Sequence, residues 1–241
     1  MKVFAMTDIG RVRPINEDSY YLPSGDERFC AVADGMGGHN AGEVASAMAV
    51  EEFARQMRDV ENITCEAMRA AVLRANDAVF RRAGEDASMN GMGTTFSALA
   101  IQDDTAYLAH VGDSRIYLVR RGTIIQLTLD HTLVEEMVLM GKLTVREARV
   151  HPKRNIITRA LGTEQKVEVD VMQVALRQGD VFFLCSDGLS NNVEEREILG
   201  AVQSADDWQE KLRRLVGNAL ENGGQDNITA MFAVYEGAGW R

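Results

Sequence analysis

The sequence predicts an α+β fold in which antiparallel sheets carry helices on their outer faces. Strand patterns follow one another in long runs, and helix patterns are grouped early and late along the chain. The order lacks the strict alternation of strand and helix that a parallel sheet requires. No internal repeat or proline-rich linker interrupts the 241 residues, so one continuous domain over 1–241 is the simplest organisation.

The elements can be assigned in chain order from periodicity and turn residues. One strand begins in PINEDSYYL and a second is RFCAVADG. Helices follow over 42–58 and 64–83; in the latter, alanines recur at helical spacing with arginines on the opposite face. Further strand patterns are TTFSALAI, TAYLAHVGDSRIYLVRRGTIIQLT, VEVDVMQVAL, VFFLCSDG and NITAMFAVYE. A third helix is predicted to start after Ser204 and to end near residue 220.

The segment 129–162 interrupts the strand-rich middle of the chain. It holds two short helical patterns, HTLVEEMVLMG and TVREARVH, and then the basic stretch HPKRNIITRALG. We interpret it as a mobile flap beside a functional site. A packed pair of helices without a catalytic role accounts for the pattern equally well.

Composition restricts the classes of partner and the compartment. The formal net charge of −10 argues against nucleic acid or a membrane surface as the main partner. The N-terminus lacks a signal-peptide pattern, and no apolar run approaches the ~18 residues of a membrane span. The chain has three cysteines and no CxxC pair, with Cys30 and Cys185 in apolar runs. Reduced thiols and a cytoplasmic location are therefore predicted.

Aspartates stand at the ends of predicted strands, each beside a small or turn-forming residue. They are Asp34, Asp113, Asp187 and Asp226, and the acids Glu17 and Asp18 lie where another strand begins. A single Asp-Gly at a strand end is usually only a turn. Several converging carboxylates repel one another unless a cation holds them, and without Cys or His pairs they suit Mg²⁺ or Mn²⁺ rather than zinc. Two such ions can activate a shared water molecule, which predicts a phosphate ester as substrate.

The glycine-rich stretch VADGMGGHNAGEVAS does not match the nucleotide-binding loops. A Walker loop requires Gly-Lys-Ser/Thr, and no lysine lies between Lys2 and Lys142. A dinucleotide fingerprint requires a third glycine at the position of Asn40. The acid Asp34 at the mouth of this loop is therefore better explained by a cation than by a directly bound phosphate.

Taken in order, the motifs resemble those of the bacterial protein phosphatases of type 2C, a family of metal-dependent serine/threonine protein phosphatases. They are TDIGRVRPINEDSYYL, VADGMGGHNAGEVAS, MGTTFSALAI, HVGDSRIYLVRRG, LTLDHT, HPKRNIITRALG, GDVFFLCSDGLSNNV and GGQDNITAMFAVY. The resemblance implies a four-layer α-β-β-α sandwich of two antiparallel sheets flanked by helix pairs. It also implies that 129–162 is the family's variable flap.

The resemblance implies two central metal ions, Mn²⁺ or Mg²⁺. Asp34 would bridge them, the Gly35 carbonyl would bind one, and Asp187 and Asp226 would hold the other. A hydroxide that bridges the ions would attack the phosphorus directly. A phosphocysteine route is not expected, because no cysteine of the chain has an arginine six residues later.

The resemblance assigns further acids to the outer parts of the site. Asp113 together with Asp187 matches the ligands of a third metal site in bacterial members. Glu17 and Asp18 match acids that contact the water shell of the metals.

Two further side chains are candidates for phosphate binding and proton transfer. Arg13, four residues before Glu17, matches the family's phosphate-binding arginine, and Arg11 is its near competitor. Many eukaryotic members carry a histidine directly after the Asp-Gly, where this chain has Met36. His39 is the nearest histidine and a candidate general acid. A structural hydrogen bond of His39, with a metal-bound water as the acid, remains the alternative.

The predicted function is hydrolysis of phosphoserine and phosphothreonine in proteins by a monomer that opposes a bacterial serine/threonine kinase. Two alternatives remain open at this stage. One is an inactive member that binds phosphoproteins or senses metals, and the other is a hydrolase of small phosphate esters. Loss of the metal carboxylates would favour the first, and only an assay separates the second.

Overall fold

Two antiparallel sheets form the centre of the molecule in a computed structural model that describes residues 1–37 and 41–237. The first sheet has the spatial order β1 (Lys2–Asp8), β11 (Ile228–Val234), β10 (Val181–Cys185), β7 (Arg115–Arg120) and β8 (Thr123–Gln126). The second has the order β2 (Asp18–Tyr21), β3 (Phe29–Met36), β5 (Phe96–Gln102), β6 (Thr105–Val111) and β9 (Asp170–Ala175), and the short β4 (Gly93–Thr94) pairs with β3.

Helices cover the outer face of each sheet. The second sheet is covered by α1 (Ala41–Arg58) and α2 (Cys65–Glu85). The first is covered by α5 (Asp187–Ser190), α6 (Glu195–Gln203) and α7 (Trp208–Glu221). Two short helices, α3 (Leu133–Leu139) and α4 (Val145–Arg149), lie between β8 and β9 in sequence, and a 3₁₀ turn spans Ala87–Met89. The predicted four-layer α-β-β-α sandwich is confirmed.

Side-chain alternation along the strands builds three apolar layers. In β3, Ala31 and Ala33 face the helices, whereas Cys30 and Val32 face the other sheet. In β10, Phe183 packs toward the helices of the first sheet. Successive residues of a strand therefore belong to different layers. Burial of each large apolar side chain stabilises the fold by roughly 1.5–3 kcal/mol.

Most predicted elements are present, with shifts at their ends. The helix predicted at 42–58 begins one residue earlier, and Thr64 caps α2 by accepting from the N–H of Ala67 rather than lying inside the helix. The start predicted after Ser204 is wrong. Asp207 is the N-cap of α7, where its carboxylate accepts from Glu210 N–H at 2.9 Å.

The segment 129–162 contains both predicted short helices. Thr132 caps α3, and Thr144 forms a capping box with Glu147 at the start of α4. Only Ala148 is buried in α4, so this helix has little packing to hold it.

Among the helices of 1–37 and 41–237, none combines the length and apolar character needed to cross a bilayer.

All three cysteines are free thiols, and Cys30 and Cys185 are buried, as predicted. Burial raises the pKa of both thiols to about 12. These groups are therefore protonated core residues and poor nucleophiles.

Candidate metal centre

At one end of the sandwich, the face between the sheets changes from apolar to polar. Side chains two residues apart in a strand point to the same face. The inter-sheet core residues Val32, Leu184 and Met231 therefore have polar neighbours on the same face at this end. These neighbours are Asp34 in β3, Ser186 just after β10 and Thr229 in β11. Buried polar side chains at this end are Asp18, Thr95, Ser97, His110, Asp113, Ser114, Ser186 and Thr229. Buried polar groups are stable only when they are paired, so their partners define the site.

Asp18 and Asp34 lie directly opposite each other in the β2–β3 pair. Opposed like charges on neighbouring strands are destabilising. Ser186 donates its hydroxyl to Asp18 Oδ2 at 2.8 Å, and Asp34 N–H donates to Thr95 Oγ1 at 2.9 Å. Burial and the neighbouring carboxylates raise the pKa of both aspartates, that of Asp34 well above its usual range.

Asp113 and Asp187 complete the buried part of the cluster. Asp113 lies in the turn between β6 and β7, and Asp187 is the first residue of α5 directly after β10. The pKa of each is raised, first by burial and then by other carboxylates, Asp187 in the case of Asp113 and Asp226 in the case of Asp187. The structure thus brings the predicted strand-end acids into one electrostatic cluster.

Asp226 lies at the more exposed side of the cluster, where it meets Arg13. Arg13 Nη2 donates to Asp226 Oδ2 at 2.7 Å, and its Nη1 is 3.9 Å from Glu17 Oε2. The hydrogen bond to Asp226 and the nearby charges raise the pKa of Arg13. Contact with the carboxylates favours Arg13 over Arg11, whose backbone N–H instead donates to the Gly224 carbonyl at 2.7 Å.

Asn227, which the sequence did not single out, holds the loop that carries Arg13. Its amide donates to the carbonyls of Ile9 and Ile15, both at 2.9 Å, and its Oδ1 accepts from Glu17 N–H at 2.8 Å. Both ends of the Arg13 loop are therefore fixed to the residue that follows Asp226. The only signal in the sequence is the position of Asn227 beside that aspartate.

Gly35 allows the N-terminus of α1 to approach the cluster. A Cβ at this position would lie 2.1 Å from the Gly42 carbonyl oxygen and 2.5 Å from that of Glu17. Glu17 in turn accepts a hydrogen bond from the Gly42 backbone. The pKa of Glu17 is raised, chiefly by burial. No larger residue fits at position 35 without moving the helix.

The donor set suits a hard divalent cation. Among the described residues, the buried oxygens Oδ1 of Asp18 and Oδ1 of Asp113 have no hydrogen-bond partner. Carboxylate oxygens in a cluster with raised pKa values are the ligands that Mg²⁺ and Mn²⁺ prefer. Within 1–37 and 41–237, no three His, Cys, Asp or Glu side chains already enclose an ion in the positions they occupy, so the carboxylates of the cluster would have to turn toward an ion to bind it. An ion at this site would therefore complete its coordination with water.

The structure brings together Arg13, Glu17, Asp18, Asp34, Gly35, Asp113, Asp187 and Asp226. The remaining candidate, His39, lies outside the described residues.

Comparison with protein families gives one match across most of the chain. The profile described as Protein phosphatase 2C matches residues 13–233. The matched range includes Arg13 and every acid of the cluster.

Similar proteins are known from sequence and from crystals. The chain is 40% identical over 234 residues to "Protein phosphatase PhpP" of Streptococcus pneumoniae, with 95% of each chain covered. It is similar to the crystal structure of the Mycobacterium tuberculosis serine/threonine phosphatase PstP/Ppp, with a TM-score of 0.91, 40% identity and 98% of each chain covered. It is also similar to the catalytic domain of serine threonine protein phosphatase PstP in complex with two manganese ions, with a TM-score of 0.87, 38% identity and 97% of each chain covered.

Proposed function

The chain belongs to the protein phosphatase 2C family, and on that basis we propose that it is a Mn²⁺- or Mg²⁺-dependent phosphatase of phosphoserine and phosphothreonine in proteins. The single observation that carries the proposal is the convergence of four strand-end aspartates beside an arginine. The cluster suits divalent cations, and the arginine suits a phosphate group.

We propose that two ions are held around Asp34. Asp34 would bind both ions, the Gly35 carbonyl would bind one of them, and Asp187 and Asp226 would bind the other. When bound, such ions offset the charge of the phosphate and lower the pKa of a shared water. The PstP catalytic domain in complex with two manganese ions supports the kind and number of these ions.

A third ion and a water shell extend the proposal. Asp113, with an unpartnered buried Oδ1 in the described part of the chain, would hold the third ion together with Asp187. Asp18 and Glu17 would act through water molecules. Asp18 suits this role because Ser186 already occupies its Oδ2.

Arg13 is proposed to hold the phosphate of the substrate. Its side chain is 45% exposed, so the guanidinium is accessible while Asp226 orients it. Arginine binds two phosphate oxygens with its planar fork. The proton donor to the leaving serine or threonine stays a prediction, with His39 as the candidate.

Two alternatives weigh less. An inactive phosphoprotein-binding member would be expected to lack metal carboxylates, and Asp34, Asp187 and Asp226 are all present. A hydrolase of small phosphate esters would use the same cluster. Family membership implies phosphoprotein substrates, which favours the protein phosphatase.

The cellular setting follows from the same reasoning. We propose that the substrates include a serine/threonine protein kinase, that residues 1–241 form one catalytic domain with a flap at 129–162, and that the protein acts as a monomer. Three free thiols support a reducing, cytoplasmic compartment.

The test is hydrolysis of a phosphothreonine peptide with Mn²⁺, with EDTA, and by the variants Asp34→Ala and Asp187→Ala. We expect turnover that requires the metal and falls by at least ~100-fold in each variant, because each loses an ion ligand. Full activity in EDTA would contradict the proposal. A small ester such as p-nitrophenyl phosphate, assayed in parallel, shows whether the enzyme prefers a peptide.

A further inference from the structure

The loop that carries Asp113 is held from both sides by two consecutive residues, Asp130 and His131, which we call the Asp130/His131 pair. The pair lies at the start of the segment 129–162. It is outside the set of residues that the proposed mechanism uses, and the sequence placed it only within the motif LTLDHT, without a role.

His131 holds Gly112, the residue before Asp113. The His131 N–H donates to the Gly112 carbonyl at 2.8 Å, and the Gly112 N–H donates to His131 Nδ1 at 3.0 Å. Gly112 has a φ of 108°, and a Cβ there would lie 2.6 Å from Thr95 Cβ. The loop is therefore closely confined at this residue, with His131 on one side and Thr95 on the other.

The tautomer of His131 follows from these contacts. Because Nδ1 accepts from an N–H, the imidazole proton must lie on Nε2. Nε2 is 3.1 Å from Asp170 Oδ2, to which it donates. Arg159 Nη1 approaches Nε2 at 3.4 Å, but two donors cannot bond, so Arg159 pairs with Asp170 Oδ1 at 3.2 Å instead. Asp170 thus orients the ring, and the ring holds Gly112.

Asp130 holds the other side of the loop through Arg115, two residues after Asp113. Arg115 Nε donates to both carboxylate oxygens of Asp130 at 3.0 Å, and its Nη2 donates to Oδ2 at 2.6 Å. Charge-assisted bidentate contacts of this kind fix geometry as well as adding stability. Asp113, a residue only 7% exposed, is thereby held from both sides.

The same pair closes the base of the segment 129–162. Thr158 N–H donates to the His131 carbonyl at 2.8 Å, and Leu133 N–H donates to the Ile156 carbonyl at 2.9 Å. Both ends of the segment therefore meet at His131, which fixes the backbone of the pair independently of its side chains.

We propose that the Asp130/His131 pair positions Asp113 for the third ion and sets the affinity of that site, with His131 Nδ1 as the decisive contact. The inference rests on the proposed function, in which Asp113 is an ion ligand. Both members are positioning residues, since neither reaches the carboxylate itself. Groups that orient ligands typically change metal affinity by about 10–100-fold when they are removed.

Two substitutions separate the two ring nitrogens. His131→Asn places an amide oxygen near the position of Nδ1 and keeps an acceptor for Gly112. His131→Gln places its amide near Nε2, which keeps a donor for Asp170 but loses that acceptor. A merely structural role of the ring would make the two variants alike.

The experiment is calorimetric titration of the chelated protein with Mn²⁺, which reports the number of sites and their Kd values. We expect three sites in the wild type and loss of the weakest in Asp113→Ala. In His131→Gln the Kd of that weakest site should rise about tenfold, while the two tighter sites stay unchanged. In His131→Asn, which loses only the contact with Asp170, the Kd of the weakest site should rise by no more than about threefold, and the two tighter sites should stay unchanged.

Asp170→Ala is a second test, in which the buried ring of His131 is kept and only its hydrogen bond to Asp170 is lost. The Asp170 side chain is 43% exposed, so the variant is expected to fold, and its loss of ring orientation should weaken the same site by about threefold. Circular dichroism and thermal unfolding of each variant confirm the folded state.

Several results would overturn the inference. Equal Kd values in His131→Gln and the wild type would do so, as would equal weakening in His131→Gln and His131→Asn, or three intact sites in Asp113→Ala. Failure of the proposed function is distinct, because it would appear as absent Mn²⁺-dependent turnover of the phosphothreonine peptide by the wild type.

Discussion

Asp34 and Asp18 face each other across neighbouring strands, and each is short of partners that could neutralise it. The hydroxyls of Ser186 and Thr229 interact with Asp18, but its buried Oδ1 has no hydrogen-bond partner in the described residues. At the scale of single residues, the cluster is thus a set of charges that the protein alone leaves unbalanced. Bound divalent ions would remove this repulsion and stabilise the fold.

Arg13→Ala tests the phosphate role at this scale. We expect the KM for a phosphothreonine peptide to rise about tenfold, because a charge-assisted contact to phosphate is lost. The Mn²⁺ concentration for half-maximal activity should change little, since Arg13 is not an ion ligand. Arg11→Ala, two residues away, is the matched control and should leave KM within about twofold. Steady-state kinetics at varied Mn²⁺ would show an unchanged KM in Arg13→Ala if the role is wrong.

Gly35→Ala tests the close approach of α1 to the cluster. The added Cβ would lie 2.1 Å from the Gly42 carbonyl oxygen, so we expect the free energy of unfolding to fall by about 2 kcal/mol or more. Gly84→Ala is the control, because nothing lies within 4 Å of a Cβ there, and it should stabilise α2 by roughly 0.5–1 kcal/mol. Urea unfolding measures both, and equal stability of the two variants would refute the packing argument.

At the scale of elements, the ends of strands build the site. The inter-sheet faces of β3 and β10 are apolar until Asp34 and Ser186, and β11 begins its apolar face only after Thr229. Alternation therefore delivers polar groups from both sheets to one end. The same face of β6 ends at His110, which is buried beside His131 with ring centroids 4.9 Å apart.

The buried His110 gives β6 a pH-dependent contribution to stability. Burial, with a smaller effect of His131, lowers its pKa to about 4 from 6.5. The unfolded chain therefore binds this proton more readily than the folded one, so stability is lost as pH falls from about 7 toward 4. Between pH 7 and 5, wild type should lose about 2 kcal/mol more than His110→Gln.

Urea unfolding in EDTA at a series of pH values measures this difference. Comparison with the variant cancels the contribution of the acidic cluster, which both proteins share. Parallel pH profiles for the wild type and His110→Gln would show that His110 titrates normally in the folded state.

The segment 129–162 is expected to be the first site of limited proteolysis. The α4 helix has five residues with one buried side chain, and short helices without packing open readily. Exposed basic residues lie at its end and shortly after it, among them Arg149 and Lys153. Mass spectrometry of early tryptic fragments should find the first cleavage within 142–159. A first cleavage at Arg82, near the end of the packed α2, would contradict this expectation.

At the scale of the whole molecule, the sequence predicted the four layers and the acids of the site. It did not predict which strands pair or which hydroxyl groups contact those acids. Strand-end aspartates were identifiable because each follows or precedes an apolar run. The pairing of Asp18 with Asp34 depends on long-range strand register, which local patterns do not encode. Thr229 was missed because threonine is ordinary inside a strand, and Ser186 because serine is ordinary at the start of a helix.

The missed elements have similar physical causes. The edge strand β1 is only partly buried, and apolar side chains point to both of its faces, with Phe4 and Met6 on one and Val3 and Ala5 on the other, so it lacks the alternation of apolar and polar residues that predicts a strand. The short α6 was not predicted, and α7 was given the wrong start because Ser204 and Asp207 are both good caps. The capping side chains alone allow a helix to start after Ser204 or after Asp207. The helix that starts after Asp207 is the one that packs against β1 and β11.

The central claim is that Asp34 holds two ions at once. Anomalous diffraction from crystals grown with Mn²⁺, recorded at the manganese absorption edge, tests it most directly. We predict two peaks ~3.5–4 Å apart, both within ligand distance of Asp34, one beside the Gly35 carbonyl and the other beside Asp187 and Asp226. A single peak beside Asp34, or none, in crystals of protein that hydrolyses the phosphothreonine peptide would contradict the claim.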